Sequence, residues 1–322
     1  MIKWGILGCG DVAEVKSGPA FQKAKHSELI AVMRRNATKA KDFAQRHGVE
    51  HWYDNVDELL ANPDVNAIYV ASPPIFHEEH AIKAMQSGKH VYLEKPMAVD
   101  ADACRRIAAV AEQSQQKLSI AHYRRALPAF IEIGELLRQG QIGRPLFADI
   151  KILQPQTSDI IAQSELNWRT NPAVSGGGLF HDVAPHQLDL MLRYFGRVNS
   201  ATGAASNQLQ LNSADDTVSA NLHFDSGVQV QGLWCFGVTT NESQDRCKIV
   251  GTEGSIEFSF FGDQVTLLRQ KQGQEVMYFE NPKNIQLPMI EQVIQYFMHQ
   301  SNNPCSADEA TAVIELMDIC TK

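Results

Sequence analysis

The chain lacks an apolar run of 18 residues, so no segment is predicted to span a membrane. It also lacks a basic excess, and its net charge of −8 argues against binding of nucleic acid. Its six cysteines form no Cys-x-x-Cys pair and lie near no metal-type histidine spacing, so no metal site is predicted. No charged and then apolar leader precedes the first strand, which indicates a cytosolic protein.

What the chain does contain is enough for two hydrophobic cores. Its 322 residues, 44% of them hydrophobic and 20% charged, are typical of a globular protein of two domains. The first 121 residues alternate short apolar runs with helical patterns, the runs lying at residues 2–8, 29–33, 67–71, 91–94 and 118–121. Such alternation predicts an α/β domain with a doubly wound parallel sheet over residues 1–121.

The pattern changes after residue 122. Longer runs that alternate polar with apolar residues follow, at residues 146–153, 198–206, 217–224, 228–236, 245–250, 255–260, 264–269 and 276–279. This alternation is typical of an antiparallel sheet with one face exposed to water. Residues 122–322 are therefore predicted to form an α+β domain with a large, mostly antiparallel open sheet, and a cleft is expected between the two domains.

A glycine-rich loop follows the first predicted strand. It reads Gly8-Cys9-Gly10-Asp11-Val12-Ala13, a variant of the pattern that binds dinucleotides. The first glycine permits a tight turn, the second lets the backbone approach a pyrophosphate, and the small alanine lets the next helix pack closely. The free N–H groups of that helix favour phosphate. The loop therefore predicts a Rossmann domain whose cofactor contacts include Asp11 and Val12.

The end of the second predicted strand distinguishes the two nicotinamide cofactors. An acidic residue there would bind the ribose 2′-hydroxyl of NAD, whereas arginine accommodates the 2′-phosphate of NADP. The chain has Arg34 and Arg35 at this place and no carboxylate. Two guanidinium groups favour NADP over NAD, with solvated loop charges as the alternative reading.

Two further segments carry candidate catalytic groups. Lys95 ends a buried strand before Pro96, at the sheet edge where ligands bind in such folds. Downstream, three glycines precede a helical pattern in which Asp182, His186 and Asp189 share one face. His186 can exchange a proton near neutral pH, and Asp182 could orient it. A lone histidine is more often a core residue, so a catalytic and a structural role of His186 both stay open.

Taken together, these segments resemble the glucose–fructose oxidoreductase, inositol dehydrogenase and rhizopine-catabolism family of NAD(P)-dependent oxidoreductases, over nearly the whole chain. The motifs that carry the resemblance are Gly8–Ala13, the stretch from Val70 to Glu94-Lys95-Pro96, and the glycines at 176–178 with the Asp182 helix. The resemblance implies that Lys95, Asp182 and His186 are catalytic and also contact the substrate. It implies that Ser72, Pro73, His77 and Glu94 line the nicotinamide side.

The resemblance has further implications. The Lys95-Pro96 bond is expected to be cis, Trp168-Arg169 to lie near cofactor and substrate, and Tyr123-Arg124-Arg125 to face the cleft, with Tyr123 at the substrate. A homodimer or homotetramer through the open face of the second sheet is also expected. The stretch 154–167 is expected to contribute to the substrate pocket.

The expected reaction is hydride transfer between the nicotinamide and a carbon of a sugar, cyclitol or related compound that bears a hydroxyl or carbonyl. Lys95 would stabilise the developing negative oxygen, and either Lys95 or His186 would transfer the proton. Two alternatives stay open: an anhydro-sugar or trans-dihydrodiol enzyme of the same fold, and a nonenzymatic regulator that senses a nucleotide. The sequence does not choose the substrate, the direction of hydride flow or the subunit number.

Overall fold

The computed structural model describes residues 1–10, 13–160 and 168–321. The first part of the chain alternates strands and helices as predicted. Its strands are β1 Ile2–Leu7, β2 Ser27–Met33, β3 His51–Tyr53, β4 Ala67–Val70, β5 His90–Leu93 and β6 Leu118–Ile120. Its helices are α1 Gly18–Lys23, α2 Ala37–His47, α3 Val56–Leu60, α4 His77–Gln86 and α5 Ala101–Gln113.

These strands form one parallel sheet in the order β3-β2-β1-β4-β5-β6. The order reverses between β1 and β4, which is where ligands bind in a doubly wound sheet. All four residues of β4 are buried, because helices cover both faces. Asp100 is the N-cap of α5, since its carboxylate accepts the Ala103 N–H at 2.7 Å.

The second part of the chain forms an eight-stranded sheet. Its strands are β7 Pro145–Leu153, β8 Val198–Ser206, β9 Thr217–Phe224, β10 Gln229–Cys235, β11 Gln244–Gly251, β12 Gly254–Phe258, β13 Gln264–Arg269 and β14 Gly273–Tyr278. Its helices are α6 Pro128–Arg138, α7 Pro172–Ser175, α8 Leu179–Phe195, α9 Leu287–Phe297 and α10 Ala307–Cys320.

The strand order is β14-β13-β12-β11-β7-β10-β9-β8. Every neighbouring pair is antiparallel except β7 and β10, which run parallel, so the predicted mostly antiparallel sheet is confirmed. Helix α8 covers one face, where the Trp234 indole N–H donates to Gln187 Oε1 at 3.2 Å. The other face leaves Phe147 45% exposed.

The closing helices tie the two parts together. Helix α9 packs against α1, and α10 packs against α5, α8 and β8. Backbone hydrogen bonds also join the two parts; for example, the Ile120 N–H donates to the Cys305 carbonyl at 3.1 Å. Within the described ranges, no helix has the length and apolar character that a membrane span requires.

Candidate active site

The carboxyl ends of β1, β4 and β5 meet at one edge of the parallel sheet. Gly8 follows β1 with φ of +96°, and a Cβ there would lie 2.7 Å from the Ser72 backbone nitrogen. Only glycine fits both the left-handed backbone and this close approach. The glycine loop is therefore held directly against the segment after β4.

Gly10, two residues further along the loop, borders open space. A Cβ added to Gly10 would meet no heavy atom within 4 Å, which leaves room for a ligand to approach the backbone. Ala13 is fully buried, as close packing of the following turn requires. Burial also raises the pKa of the Cys9 thiol to about 12, although the charge of Arg34 opposes this. Asp11 and Val12, predicted cofactor residues, lie outside the described residues.

The two arginines after β2 differ in their surroundings. The Arg35 guanidinium lies 5.0 Å from the centre of the Phe76 ring, as in a cation–π contact. Arg34 is half-buried, and its backbone N–H donates to the Tyr53 carbonyl at 3.2 Å. The Gly8 and Cys9 N–H groups donate to the Met33 carbonyl at 2.9 and 3.1 Å, so the next residue, Arg34, lies beside the glycine loop.

His77 connects the segments that follow β4 and β5. Its Nε2 lies 2.7 Å from the Ser72 carbonyl oxygen, and its Nδ1 lies 2.9 Å from the Pro96 carbonyl oxygen. Burial lowers the pKa of this imidazole, which is 1% exposed. Pro73 precedes a short 3-10 turn and its carbonyl accepts the Phe76 N–H at 2.9 Å. His77 thus presents both ring nitrogens to the backbone rather than to a ligand.

Glu94 is a buried carboxylate that anchors the strand end. Its Oε1 accepts the Tyr69 hydroxyl at 2.5 Å and the Gln286 amide N–H at 2.7 Å, and its Oε2 accepts the Lys95 backbone N–H at 3.0 Å. Three donors offset the cost of burying the carboxylate. The next peptide bond, between Lys95 and Pro96, is cis.

The Lys95 amino group points across the cleft to α8. It donates to the Asp182 backbone carbonyl at 2.7 Å and to Asp182 Oδ1 at 2.9 Å. Both side chains are largely buried, Lys95 at 12% exposure and Asp182 at 14%. An ammonium has three N–H groups, so one remains for a ligand after these two bonds.

Arg169 holds the other oxygen of the same carboxylate. Its Nε donates to Asp182 Oδ2 at 3.1 Å, and its guanidinium lies 4.3 Å from the Trp168 ring centre. Among the residues that the structure describes, the buried Nη1 of Arg169 has no hydrogen-bond partner. Asp182 therefore bridges two cations, one from each part of the chain.

The glycines before α8 bring two chain segments close together. A Cβ on Gly176, whose φ is +92°, would lie 2.9 Å from the Val99 carbonyl oxygen in the loop after Lys95. A Cβ on Gly177 would collide with the His181 ring. Burial of His181 lowers its pKa to about 4. These glycines make room for protein rather than for a ligand.

His186 lies one turn of α8 beyond Asp182 and is 5% exposed. Two aromatic rings flank its imidazole at near-perpendicular angles, Tyr123 with ring centres 5.3 Å apart and Phe261 at 5.9 Å. All three rings line the cleft that also contains Lys95. The arrangement places a proton-exchanging group in an apolar, water-poor part of the cleft.

Phe261 is a cleft residue that sequence reasoning did not identify. Asp245 Oδ1 and Oδ2 accept the N–H groups of Phe260 and Phe261 at 2.9 and 2.7 Å, and burial raises the pKa of this carboxyl. The Arg124 guanidinium lies 4.1 Å from the Phe261 ring centre and donates to the Phe260 carbonyl. No local pattern around residue 261 signals this role, because its partners come from distant segments.

Asp189, which shares a helix face with Asp182 and His186, has another task. Arg125 donates to it by two nitrogens, the shorter contact being 2.6 Å, and also to Glu309 at 2.6 Å. The expectation that Arg125 faces the cleft is therefore wrong; it is buried behind Tyr123. His122, Asp189 and Cys305 each offer one atom that could ligate a metal ion, and these atoms lie within 4.8 Å of one another. The Arg125 guanidinium, however, already binds the Asp189 carboxylate.

The cleft brings most of the predicted site residues together. Its lining includes Ser72, His77, Glu94, Lys95, Tyr123, Trp168, Arg169, Asp182 and His186. Gly8, Gly10 and Ala13 lie beside it at the end of β1, with Arg34 and Arg35 beyond them after β2. The lining also includes Ile160, which belongs to the predicted pocket stretch, together with Phe261 and Gln286, which the sequence did not single out. Of the predicted pocket stretch 154–167, residues 161–167 lie outside the described residues.

Comparison with known proteins supplies independent information. A family model described as "Oxidoreductase family, NAD-binding Rossmann fold" matches residues 2–122, and a "GFO/IDH/MocA C-terminal domain" model matches residues 130–257. Oxidoreductase P35 of Formosa agariphila is 46% identical over 319 residues, covering 99% of this chain and 98% of that protein.

More distant relatives have named substrates. The 1,5-anhydro-D-fructose reductase of Ensifer adhaerens is 28% identical over 262 residues, covering 80% of this chain and 75% of that protein. A solved structure of levoglucosan dehydrogenase in complex with NADH and L-sorbose superposes with a TM-score of 0.90 at 19% identity. The superposition covers 99% of this chain and 96% of that one, and this similarity confirms the predicted fold.

Proposed function

The chain belongs to the GFO/IDH/MocA family of oxidoreductases with an NAD-binding Rossmann fold, and from that premise we propose an NADP-preferring enzyme that acts on a sugar-like CH–OH or carbonyl group. We propose that residues 1–121 bind the dinucleotide and that residues 122–322 bind substrate and mediate assembly. The observation that carries the proposal is the Lys95 amino group, which Asp182 holds beside His186 at the ligand-binding edge of the parallel sheet.

The residues present fit a dinucleotide. The open space at Gly10 leaves the loop backbone accessible to a pyrophosphate, and Ala13 keeps the next turn close to β1. Gly8, Gly10 and Ala13, with Asp11 and Val12 between them, would hold the pyrophosphate, and Ser72 and Glu94 lie where the nicotinamide would end. A bound nicotinamide supplies the hydride chemistry, while the protein supplies orientation and proton handling.

The preference for NADP rests on the end of β2. The charge beside the glycine loop comes from Arg34, whereas the guanidinium of Arg35 is already stacked on Phe76. We therefore assign the 2′-phosphate contact to Arg34 first, with Arg35 as the neighbouring planar surface. The levoglucosan dehydrogenase of similar fold was solved with NADH, so NAD is kept as the alternative cofactor.

Lys95 is the group best placed to bind the reacting oxygen. Two of its N–H groups are taken by Asp182, and the third can donate to a substrate hydroxyl or carbonyl oxygen in the cleft. A fixed ammonium stabilises the negative charge that develops on that oxygen during oxidation. Arg169 supports the arrangement by holding the second oxygen of Asp182.

His186 is the proposed partner in proton transfer. It can accept the hydroxyl proton during oxidation, and general base catalysis of this kind contributes about 10²–10⁴-fold. Lys95 is the alternative candidate for that step, which it could perform only as the neutral amine, because an ammonium has no lone pair to accept a proton. Tyr123 and Phe261 exclude water from the imidazole on two sides. In this scheme the Asp182 carboxylate binds the Lys95 amino group and holds it in position.

The substrate class proposed here is a polyhydroxylated ring, namely a sugar, cyclitol or anhydro-sugar. Donors from Lys95 and His186 alternate with the apolar surfaces of Tyr123, Trp168 and Phe261, which suits rings with both hydroxyls and C–H faces. The anhydro-sugar relative supports this choice. A trans-dihydrodiol remains the alternative substrate, and a nucleotide-sensing regulator is less well supported because the candidate catalytic groups converge. Assembly as a homodimer or homotetramer through the sheet face that exposes Phe147 is also proposed.

The test combines cofactor titration with a substrate screen. We expect tighter binding of NADPH than of NADH, followed by reduction of at least one sugar or anhydro-sugar carbonyl. Lys95→Met should abolish turnover and leave NADPH affinity nearly unchanged, because the lysine contacts the reacting oxygen. Lys25→Met, at an exposed position before β2 and so at the end of that strand away from the cleft, is the matched control. Full turnover in Lys95→Met would remove the lysine from the mechanism, and binding of neither cofactor would overturn the proposal.

A further inference from the structure

Gln286 lies at the inner end of the cleft, immediately before α9. Its side chain is 1% exposed and lines the same cleft as Glu94 and Lys95. It comes from the second part of the chain, about 190 residues from the strand end that it contacts. Nothing in its local sequence marks it as a site residue, yet a buried amide at this place needs partners for both of its ends.

The orientation of the Gln286 amide follows from its neighbour. The Glu94 Oε1 that it approaches at 2.7 Å is an acceptor and also receives the Tyr69 hydroxyl at 2.5 Å. A carboxylate oxygen can face only the NH₂ end of the amide. The Gln286 Oε1 therefore points away from Glu94, and the amide cannot turn over without losing its bond to the carboxylate.

That outward oxygen has no donor in the described structure. Gln286 Oε1 is buried and accepts no hydrogen bond. Folded proteins rarely leave a buried acceptor unpaired, because the group has lost its water without compensation. Gln286 lies in the cleft and is bonded to Glu94, the residue that precedes Lys95. This position points to a ligand donor as the missing partner.

We propose that Gln286 Oε1 accepts a hydrogen bond from the carboxamide NH₂ of the bound nicotinamide. The inference rests on the proposed function, which puts the reacting carbon of the ring near Lys95. The carboxamide is attached to the carbon next to that reacting carbon, and its NH₂ is the ring's one hydrogen-bond donor. A substrate hydroxyl is the competing donor, and the test below separates the two.

Such a bond makes Gln286 a positioning residue for the cofactor. A nicotinamide ring held at its carboxamide cannot rotate freely about its glycosidic bond, so one face stays toward the substrate. The anchor is rigid because Gln286 is itself bonded to Glu94, and Glu94 also receives the Lys95 N–H at 3.0 Å. One carboxylate thus sets the positions of both the cofactor ring and the catalytic lysine.

The experiment measures binding and needs no substrate. Competition against NADPH fluorescence gives affinities for NADP, its 3-acetylpyridine analogue and 2′-phospho-ADP-ribose, or the unphosphorylated set if NADH binds better. The acetyl group keeps the carbonyl but lacks the N–H donor, and the third ligand lacks the ring. Wild-type protein should bind NADP about threefold to tenfold tighter than the acetylpyridine analogue. Gln286→Met, which keeps the volume, should bind the two alike.

Tyr69→Phe is the matched control. It removes the other donor to the same Glu94 oxygen but leaves Gln286 Oε1 in place, so discrimination between the two ring ligands should persist. Affinity for 2′-phospho-ADP-ribose should be unchanged in both variants. Equal discrimination by wild type and Gln286→Met would overturn the inference and leave the oxygen to a substrate hydroxyl. Loss of discrimination in Tyr69→Phe as well would assign the effect to Glu94. A wild-type protein that binds none of the ligands contradicts the proposed function itself.

Discussion

Replacing Asp182 by asparagine tests whether one carboxylate holds the two halves of the site together. In the structure its two oxygens bind Lys95 at 2.9 Å and Arg169 at 3.1 Å, with the three side chains between 6% and 14% exposed. Asp182→Asn leaves both cations buried without a counter-charge. Breaking a buried ion pair in this way costs about 3–5 kcal/mol. The amide oxygen and the Asp182 backbone carbonyl still accept from Lys95, so we expect a loss near the lower limit, about 3 kcal/mol.

The matched control is Asp149→Asn on the second sheet. Asp149 contacts Arg246 at 3.3 Å, but these side chains are 30% and 35% exposed, and such pairs contribute about 0–1 kcal/mol. Urea unfolding, followed by tryptophan fluorescence and by circular dichroism, measures both variants against the wild type. A loss in Asp182→Asn no larger than that in Asp149→Asn would refute the reasoning, because the charge would then be dispensable to the fold.

Two further predictions concern other groups. Arg34→Asp should lower NADPH affinity about tenfold to a hundredfold while sparing NADH, and Arg35→Met should have the smaller effect; equal losses in fluorescence titrations would reject this assignment of the phosphate. Burial holds the pKa of His181 at about 4 in the folded protein, below its usual 6.5, so the free energy of unfolding falls as pH decreases from 6.5 toward 4. At pH 5 the loss of unfolding free energy is about 2 kcal/mol. Urea melts of His181→Phe should no longer show this loss, whereas those of His223→Thr, changed at an exposed position, should still show it. An unchanged dependence of stability on pH in His181→Phe would contradict the pKa shift.

Much of the candidate site could be predicted because its signals are local. The glycine loop, the strand end at Lys95 and the helix that carries Asp182 and His186 each lie within a short stretch of sequence. Parallel strands then bring such strand ends to one edge. Strand β3 was missed because its three residues, His51–Tyr53, are only partly buried and form no apolar run.

The supporting contacts could not be predicted from local patterns. Arg124 and Arg125 are neighbours with the same chemistry, yet one packs on Phe261 and the other binds Asp189 and Glu309. Likewise, the parallel pairing of β7 with β10 produces the same alternation as antiparallel pairing. Such choices depend on which distant segment packs nearby, and that information is not present in a short window of sequence.

The ion pairs of Asp182 explain why the site needs both parts of the chain. Lys95 comes from the end of a Rossmann strand, whereas Asp182 lies in the first turn of α8 and Arg169 in the segment before that helix. A second contact between the two parts is made by Gln286, immediately before α9, which donates to Glu94. The lysine is therefore bonded on its backbone side through Glu94 and at its tip through Asp182. A shift of one part relative to the other would strain both contacts together, so the relative position of the two parts is coupled to the aim of the lysine.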